Sequence, residues 1–276
     1  MDVRSEWVRY WRVPGAPVEA MRARFTSHAY HRHSHESYSF GVTETGVQAF
    51  SCRRSRHVST SGLVMAFNPD DPHDGRAGDP AGFTYRMVHV WPGYFTDLLA
   101  EVHGRAAPLP LFREPVIDDP RLAASVLRLH AAVAGPVTAL DRYERLIGTA
   151  RLLATHARGG FAEGSQPGRS ASYRIAGRVR ELLQDAGPAD LSISELAGAA
   201  GCSRYVAYRA FTGVYGLTPS EYQRQLRLRA ARSLLAAGVP PAQVAAEAGF
   251  ADQAHLTRWF RRCYGVTPAA YRAAAS

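Results

Sequence analysis

Three histidines near the N-terminus stand at intervals of two residues in the stretch HAYHRHSHE. They are His31, His33 and His35. Because side chains alternate between the two faces of an extended strand, this spacing predicts three imidazoles on one side of a strand. Neutral imidazoles bind divalent ions such as Zn²⁺, Fe²⁺ or Mn²⁺, and they also hydrogen-bond organic ligands. A metal site, contacts to an organic effector and ordinary structural histidines are all compatible with this pattern.

A second alternating stretch, FTYRMVHVW, predicts a strand with polar and aromatic groups on one face. Tyr85, Met87, His89 and Trp91 are spaced by two residues within it. Such a face can line a ligand pocket, although a plain protein core would have the same pattern. Tyr85, His89 and Trp91 are therefore further candidate ligand-binding residues.

The C-terminal part contains a repeat. The repeated residues are Phe211, Gly216, Thr218, Pro219 and Tyr222 in the first copy, and Phe260, Gly265, Thr267, Pro268 and Tyr271 in the second. Each copy predicts a short helix, a turn that begins at Gly201 or Gly249, and a second helix. This is the arrangement of a helix-turn-helix unit.

A single long helix is predicted between the two copies. The sequence TPSE forms a capping box that starts the helix at Pro219, and Gly238 with Pro240 ends it after Ala237. Such a helix is roughly 28 Å long. Because one turn of B-DNA is ~34 Å long, we expect the two units to enter successive major grooves on one face of the duplex.

The segment GFADQAHLTRWFRRCYGVTPAAYR resembles the signature of the AraC/XylS family of transcriptional regulators, and the resemblance extends over residues 173–273. It implies DNA contacts from the first turns of two recognition helices. The corresponding residues are Arg204, Tyr205, Tyr208 and Arg209 in the first unit, and Gln253, His255, Thr257 and Arg258 in the second. Arginine can pair with guanine and glutamine with adenine through two hydrogen bonds each. A solvated helical face would contain similar residues.

Two positions depart from the family pattern. Pro240 and Ala251 stand where the family often has a serine cap. We therefore expect the helices of the second unit to begin less firmly.

The N-terminal part contains short aromatic and β-branched segments separated by turn signals, which predict an antiparallel β-barrel or jelly roll. Two amphipathic helices follow, at 119–134 and 139–158, and the second has Leu140, Tyr143, Ile147, Ala150 and Ala154 at heptad-like spacing. This layout resembles the cupin-type ligand-binding domain of the same family, whose helices commonly pair two subunits.

The cupin resemblance adds His73 to the candidates, because it falls where a later cupin histidine would lie. A metal, if bound, would be held by His33, His35 and His73, but the glutamate expected in the cupin motif is replaced by Ser39 and Phe40. Apart from such a divalent metal, no cofactor is predicted.

The sequence thus predicts an α+β multidomain protein with a cupin-like effector-binding and dimerisation domain at 1–158. A flexible linker at 159–172 and an all-α DNA-binding domain at 173–276 follow, the latter with two helix-turn-helix units joined by a long helix. Residues 170–276 hold 13 arginines against seven acidic residues, and the whole chain has a net charge of +9. This excess fits a nucleic-acid partner.

Other features of the composition indicate a cytoplasmic protein without a membrane partner. No apolar run approaches the ~18 residues of a membrane span, and the three scattered cysteines fit a reducing compartment. The resemblance implies a regulator, not an enzyme, that binds double-stranded DNA, a small-molecule effector and a second copy of itself, with RNA polymerase as a further partner. A metal-dependent cupin enzyme fused to a DNA-binding domain is the main alternative, and a purely architectural DNA binder is another.

Overall fold

The computed structural model describes residues 6–13, 16–103, 105–106, 109–157 and 171–274. The chain forms two compact units that divide between residues 163 and 164. The linker predicted at 159–172 lies outside the described residues as far as residue 170, and residues 171 and 172 already belong to a helix. No helix within the described ranges is long and apolar enough to cross a membrane.

The N-terminal unit combines an antiparallel β domain with three helices. Its strands are β1 (Trp7–Arg12), β2 (Val18–Phe25), β3 (Tyr30–His33), β4 (Tyr38–Cys52), β5 (Ser55–Thr60), β6 (Val64–Phe67), β7 (His73–Ala77), β8 (Phe83–Val90) and β9 (Val116–Ile117). Its helices are α1 (Pro92–His103), α2 (Pro120–Ala134) and α3 (Ala139–His156). The described strand pairs are antiparallel, which confirms the predicted class of this domain.

The long strand β4 belongs to two parts of the sheet. Its first half lies in a larger sheet of order β1-β2-β8-β4-β6-β9, whereas its second half pairs with β5 and β7, and β7 pairs with β3. Between the halves, the register against β8 shifts at Thr43 and Thr45, as expected of a bulge that bends a strand. Gly46 follows with a φ of +76°, and a Cβ there would lie 1.9 Å from the carbonyl oxygen of Gly82. Only glycine fits this bend.

The central strands of the larger sheet are buried on both faces. Along β8, Val88 and Val90 belong to an apolar core that they share with α1, α2 and α3. The intervening Met87 and His89 are buried on the opposite face, where the ring of His89 meets that of His35. This second, interior face is the one that carries the candidate ligand-binding residues.

Helices α2 and α3 begin at side-chain caps close to the predicted positions. Asp119 accepts hydrogen bonds from the backbone N–H groups of Arg121 and Leu122, and Thr138 accepts one from that of Asp141. Oxygen-bearing side chains satisfy the otherwise unpaired N–H groups of a helix start. The predicted helices at 119–134 and 139–158 are thus present within two residues at each end.

The heptad-spaced residues of α3 serve mainly the core of their own unit. Ala150 is fully buried, and Tyr143, Ile147 and Ala154 pack against the same apolar core. Only Leu140 at the helix start is largely exposed, at 67%. The apolar face of α3 was expected to be available to a second subunit, but α1 and α2 already cover most of it.

The C-terminal unit is entirely helical within its described residues. Its helices are α4 (Ala171–Ala186), α5 (Ile193–Ala199), α6 (Arg204–Tyr215), α7 (Pro219–Ala236), α8 (Pro241–Glu247), α9 (Gln253–Tyr264) and α10 (Pro268–Ala273). Helices α5 and α6 form the first helix-turn-helix unit, and α8 and α9 form the second. Capping boxes start α5 and α7, as the sequence predicts.

Helix α7 is a core element along its whole length. Buried residues extend from Tyr222 through Leu228 to Leu235, and the helix contacts α4, α6, α8, α9 and α10. Its 18 residues correspond to about 27 Å. Because one buried helix packs against both units, their separation is fixed by core packing.

Candidate functional site

Three histidines of the N-terminal unit come together in its interior. His33 ends β3, His35 follows it, and His73 begins β7, directly opposite His33. One possible ligand atom from each lies within 4.8 Å of those from the other two. Their ring centroids are separated by 4.6 Å (His33 to His73), 4.8 Å (His33 to His35) and 5.2 Å (His35 to His73). These are the three residues that the sequence identifies as candidate metal ligands.

A bulge in β3 changes the alternation expected for this stretch. Tyr30 pairs with Gly75 and His33 pairs with His73, so β3 has one residue more than β7 between these pairs. Tyr30 and His33 therefore project to the same side, and the regular alternation expected across the stretch is absent. His31 is not one of the three grouped histidines, and its Nδ1 lies 3.1 Å from the carbonyl oxygen of Arg32.

Backbone carbonyls fix the tautomers of two of these rings. Nδ1 of His33 lies 2.7 Å from the carbonyl oxygen of His31, and Nδ1 of His73 lies 2.8 Å from that of Asp71. Because a carbonyl oxygen can only accept, each Nδ1 must carry the proton and donate it. In the neutral ring, Nε2 of His33 and of His73 is then a lone-pair acceptor.

Burial keeps both of these imidazoles neutral. It lowers the pKa of His33 to about 3, with a further contribution from neighbouring His73. Burial likewise lowers the pKa of His73 to about 4. Phe67 stacks on the His73 ring at a centroid distance of 4.2 Å and so restrains its orientation.

The same interior contains hydroxyl groups beside the histidines. The hydroxyl oxygens of Tyr30 and Tyr85 lie 2.9 Å apart, and burial raises the pKa of both phenols. Ser39 Oγ lies 2.8 Å from Nδ1 of His89, which is also buried. Trp91 lies beyond the end of β8 and is partly exposed. The sequence analysis did not identify Tyr30 and Ser39 as candidate ligand-binding residues. The alternation rule places Tyr30 on the opposite face because it does not account for the bulge, and a serine has no distinctive sequence pattern.

Other buried side-chain atoms of the N-terminal unit have no hydrogen bond among the described residues, and two of them are considered for this site. They are Oγ of Ser37 and Oε1 of Gln48. The amide of Gln48 lies close to Tyr30, since both approach the position that a Cβ on Gly75 would take. A buried polar atom is costly unless it is paired, so these groups are suited to hydrogen-bonding a ligand.

The first recognition helix, α6, presents all four predicted DNA-contacting residues on its surface. Tyr205 and Tyr208 are 66% and 45% exposed, and Arg204 and Arg209 are exposed beside them. Nη1 of Arg209 donates a hydrogen bond to the hydroxyl of Tyr205 at 3.1 Å. The guanidinium also lies 5.5 Å from the Tyr205 ring centroid. Tyr205 thus limits the orientations that the Arg209 side chain can adopt.

In the second recognition helix, α9, the predicted residues divide into two groups. Gln253 and Arg258 are exposed, whereas His255 and Thr257 are half-buried. The ring of His255 packs against Phe250 at a centroid distance of 5.5 Å. His255 therefore contributes to packing at the turn, while Gln253 and Arg258 lie on the exposed surface of the helix.

The helix starts of the second unit only partly match the sequence expectation. Pro240 precedes α8 without a side-chain cap, as predicted. Helix α9, however, begins at Asp252, whose carboxylate accepts a 2.6 Å hydrogen bond from the backbone N–H of His255. The weak start expected from Ala251 is wrong, because the cap lies one residue later.

The second recognition helix has further exposed basic residues that the sequence analysis did not identify. Arg261 and Arg262 are exposed on its last turns. Arg224 of α7 stacks 3.7 Å from the ring centroid of Trp259, and Arg262 lies 5.2 Å from the same centroid. The two copies are offset by 49 residues, so Arg261 is equivalent to Thr212 of α6. The sequence repeat alone therefore showed that the second helix has an additional basic residue at this position.

Two family models match the chain. The AraC-like ligand binding domain matches residues 15–154, and a helix-turn-helix domain matches residues 196–274. The HTH-type transcriptional regulator YbfI of Bacillus subtilis is 29% identical over 243 residues, which cover 88% of this chain and 87% of YbfI. The transcriptional activator NphR of Rhodococcus is 37% identical over 97 residues, 34% of this chain and 29% of NphR.

Solved structures of ToxT from Vibrio cholerae share the fold. Apo ToxT K231A superposes with a TM-score of 0.57 at 11% identity, over 99% of this chain and 98% of ToxT. Wild-type ToxT bound to an unsaturated fatty acid gives a TM-score of 0.60 at 12% identity, over 97% and 95% of the two chains. The two family models and the match to YbfI show that this chain belongs to the AraC/XylS family of transcriptional regulators, which are not enzymes, with an AraC-like ligand-binding domain ahead of a helix-turn-helix DNA-binding domain.

Proposed function

We propose that a small molecule bound inside the N-terminal β domain controls how the C-terminal unit binds its operator. The observation that carries this proposal is the presence, in one chain, of a buried polar interior and of two exposed recognition helices. A purely architectural DNA binder does not require a ligand site, so the buried histidine, tyrosine and serine groups would have no function in it. Effector control gives both units a role.

On the DNA side, Arg209 and Arg258 are proposed as the principal base-contacting residues. They occupy equivalent positions in the two recognition helices and both are exposed. Arg204, Tyr205, Tyr208 and Gln253 would complete the base and backbone contacts, with Thr257 at the edge. Because α7 holds the two units about 27 Å apart along its axis, each chain would read two adjacent major-groove segments.

On the effector side, the proposed ligand-binding residues are those that line the interior. His33, His35, His73, Tyr85 and His89 belong to this set. His31 and Trp91 lie at its margins. Hydroxyl and imidazole groups suit a small molecule with oxygen atoms, which can accept and donate hydrogen bonds. ToxT, which has a similar fold, has been solved with an unsaturated fatty acid bound, and we infer a small-molecule ligand here by analogy.

The proposed protein partners are a second copy of the chain and RNA polymerase. Helices α2 and α3 would form the dimer contact through residues outside the core of the subunit, and the exposed Leu140 would be buried in that contact. NphR is named a transcriptional activator, and by analogy a direct contact with the polymerase is proposed for this chain. A regulator of this kind acts where the DNA is, which is the cytoplasm in a bacterial cell.

The test is an operator selection followed by an effector screen on the full chain. Random duplexes are selected for binding, and the operator obtained is then used to measure affinity with each metabolite that raises the melting temperature. A compound that stabilises the protein should also change its operator affinity by at least about 5-fold, the lower end of typical allosteric coupling. Selection of no preferred sequence, or stabilising ligands that leave operator affinity unchanged, would refute effector control.

A further inference from the structure

The side of the second recognition helix that faces α7 contains two arginines and one tryptophan. The guanidinium carbon of Arg224, on α7, lies 3.7 Å from the ring centroid of Trp259, and that of Arg262, on α9, lies 5.2 Å from the same centroid. Because a cation is attracted to the face of an indole ring, Trp259 restrains both side chains. These three residues are called the Trp259 cluster below.

The two positive charges of the Trp259 cluster are not neutralised by a direct partner. Neither guanidinium has a hydrogen bond or a salt bridge among the described residues. The carboxylate of Glu221 acts on Arg224 electrostatically, but one of its oxygens already accepts the backbone N–H of Thr218 in the cap of α7. Burial lowers the pKa of Arg224, and the charge of Arg262 lowers it further. An anion that contacts both guanidinium groups would offset this repulsion.

The Trp259 cluster borders the surface that is proposed to enter the major groove. Arg258 and Arg261 are exposed on the side of α9 away from the buried Phe260. Trp259 directly follows Arg258, so it is turned by about 100° around the helix axis, and it is half-buried beside α7. A helix in the major groove presents its outward face to the base edges, whereas its flanks meet the phosphates that border the groove. The cluster therefore lies on the flank where operator phosphates are expected.

The equivalent positions of the first unit do not form such a cluster, although both recognition helices have an exposed arginine at matching positions. With the repeat offset of 49 residues, Trp259 corresponds to Ala210 and Arg262 corresponds to Gly213. Ala210 is buried, and Gly213 has no side chain. The aromatic restraint and the additional charge are therefore specific to the second unit.

We propose that Arg224 and Arg262, oriented by Trp259, bind a backbone phosphate of the operator beside the second recognition helix. This proposal rests on the insertion of α9 into the major groove. An arginine donates two parallel hydrogen bonds to a phosphate, and a side chain that is already restrained by a ring loses little freedom in doing so. A phosphate contact carries no base preference, but it fixes the position of the helix in the groove.

The first experiment measures binding of the full chain to the selected operator by fluorescence anisotropy at several salt concentrations. Arg224→Gln and Arg262→Gln should each weaken binding at least about 10-fold, the scale of a hydrogen bond to a charged group. Each should also make the dependence of log affinity on log salt shallower, by up to about 1. Arg178→Gln on α4 removes an exposed charge outside both recognition helices and should change neither quantity. Trp259→Leu keeps both charges, so it should weaken binding with the salt dependence unchanged.

A second experiment locates the phosphate. Neutral methylphosphonates replace, one at a time, the phosphates that border each half-site. At one position beside the second half-site, the wild type should lose about 10-fold in affinity. Arg224→Gln should lose little more at this position, because one arginine contact to that phosphate is already absent. Arg258→Ala, which affects a base contact, should keep the full sensitivity.

The outcomes separate this proposal from the proposed function. Melting curves verify folding, and Arg262 is exposed, so Arg262→Gln tests the site even if Arg224→Gln is unstable. Folded variants of both arginines that bind like wild type would overturn the proposal, and so would the lack of a sensitive phosphate beside the second half-site. If no operator is selected, the proposed function fails, but the same variants measured on a mixed-sequence duplex still decide whether the cluster binds phosphate.

Discussion

Gly249, in the turn of the second helix-turn-helix unit, lies directly against the carbonyl oxygen of Pro188, in the loop that precedes the first unit. A Cβ on Gly249 would stand 2.5 Å from that oxygen and 3.1 Å from Nε of Arg227. Arg227 donates a hydrogen bond to the same carbonyl at 3.1 Å and a second one to Asp190. The turn of the second unit therefore packs against the loop that leads into the first unit, and Arg227 holds that loop in place through two hydrogen bonds.

The repeat supplies a matched control for this contact. Gly201 is the equivalent glycine of the first unit, with a φ of +64° against +75° for Gly249, but a Cβ on Gly201 would meet nothing within 4 Å. Gly201→Ala should cost only the left-handed backbone strain of about 1–2 kcal/mol. Gly249→Ala should cost about 1–3 kcal/mol more, because the methyl group must displace backbone. Urea unfolding of both variants tests this, and equal losses would show that the contact is unimportant.

Local signals in the sequence were enough to predict most of the C-terminal unit. The turn glycines, the capping boxes at Ser192 and Thr218 and the Pro219 start of α7 each act within a few residues, so they can be recognised without tertiary information. The repeat also predicts that Arg209 and Arg258 occupy equivalent positions, and both side chains are exposed. What local sequence does not specify is how extensively α7 is buried, because this depends on its packing against several other helices.

The N-terminal site was harder to predict. His33 and His35 followed from spacing and His73 from the family resemblance, but Tyr30 joins them only through a bulge. A bulge depends on strand pairing, which local sequence does not specify. The central strands of the larger sheet are buried on both faces, so the alternation seen in β8 does not by itself tell which face lines the site.

The equivalent arginines of the recognition helices should contribute similarly to operator binding. Each of Arg209→Ala and Arg258→Ala should weaken specific binding by about 1–3 kcal/mol, the usual value of a paired contact to guanine. Tyr205→Phe removes the hydroxyl that accepts from Arg209 and should cost about 1 kcal/mol through lost restraint. Fluorescence anisotropy with the selected operator measures all three. The control is Arg178→Ala on α4, whose side chain pairs with Glu181. A loss as large in this control would mean that general charge, not position, determines affinity.

His130 should make the N-terminal unit sensitive to acid. Its Nε2 lies 3.1 Å from the carbonyl oxygen of Met21, its Nδ1 is buried without a hydrogen bond among the described residues, and burial lowers its pKa to about 4. The unfolded chain, with a histidine pKa of about 6.5, then binds more protons than the folded one between pH 6.5 and 4. The contribution of neutral His130 to the free energy of unfolding is fully present above pH 6.5. It decreases as the pH falls toward 4, by up to about 1.4 kcal/mol per pH unit.

The check is urea unfolding at several pH values between 7.5 and 4.5. His130→Gln keeps a donor for the Met21 carbonyl but cannot be protonated, so its stability should fall less steeply than that of wild type. His33 and His73 act in the same direction, and some dependence should persist. The exposed His103 provides the control substitution. Identical pH slopes for wild type and His130→Gln would contradict this account.

Leu140 offers a clean test of self-association. It is exposed at the start of α3, so Leu140→Glu should leave the unit folded. Substitutions at Tyr143 or Ile147 would instead disturb the core of the subunit itself. Sedimentation of the wild type should show a dimer at micromolar concentration, and Leu140→Glu should weaken it at least about 10-fold, since an uncompensated buried charge costs several kcal/mol. A wild-type monomer, or an unaffected dimer, would exclude an interface at this part of α3.

The final prediction concerns the spacing that α7 imposes on the operator. Because this helix is buried against both helix-turn-helix units, it cannot adapt its length, and the two recognition helices should require a fixed distance between their half-sites. Inserting five base pairs between the half-sites rotates one of them by about half a turn, so one recognition helix faces away from its groove. Inserting ten restores the face but adds ~34 Å, which the rigid unit cannot span. Both insertions should therefore reduce affinity at least ~10³-fold, toward the non-specific level, with a shallower dependence on salt because fewer phosphates are contacted. An operator with each half-site scrambled in turn provides the reference for binding through one unit. If the ten-base-pair insertion restores affinity above that reference, the two units move independently and α7 does not hold them at a fixed distance.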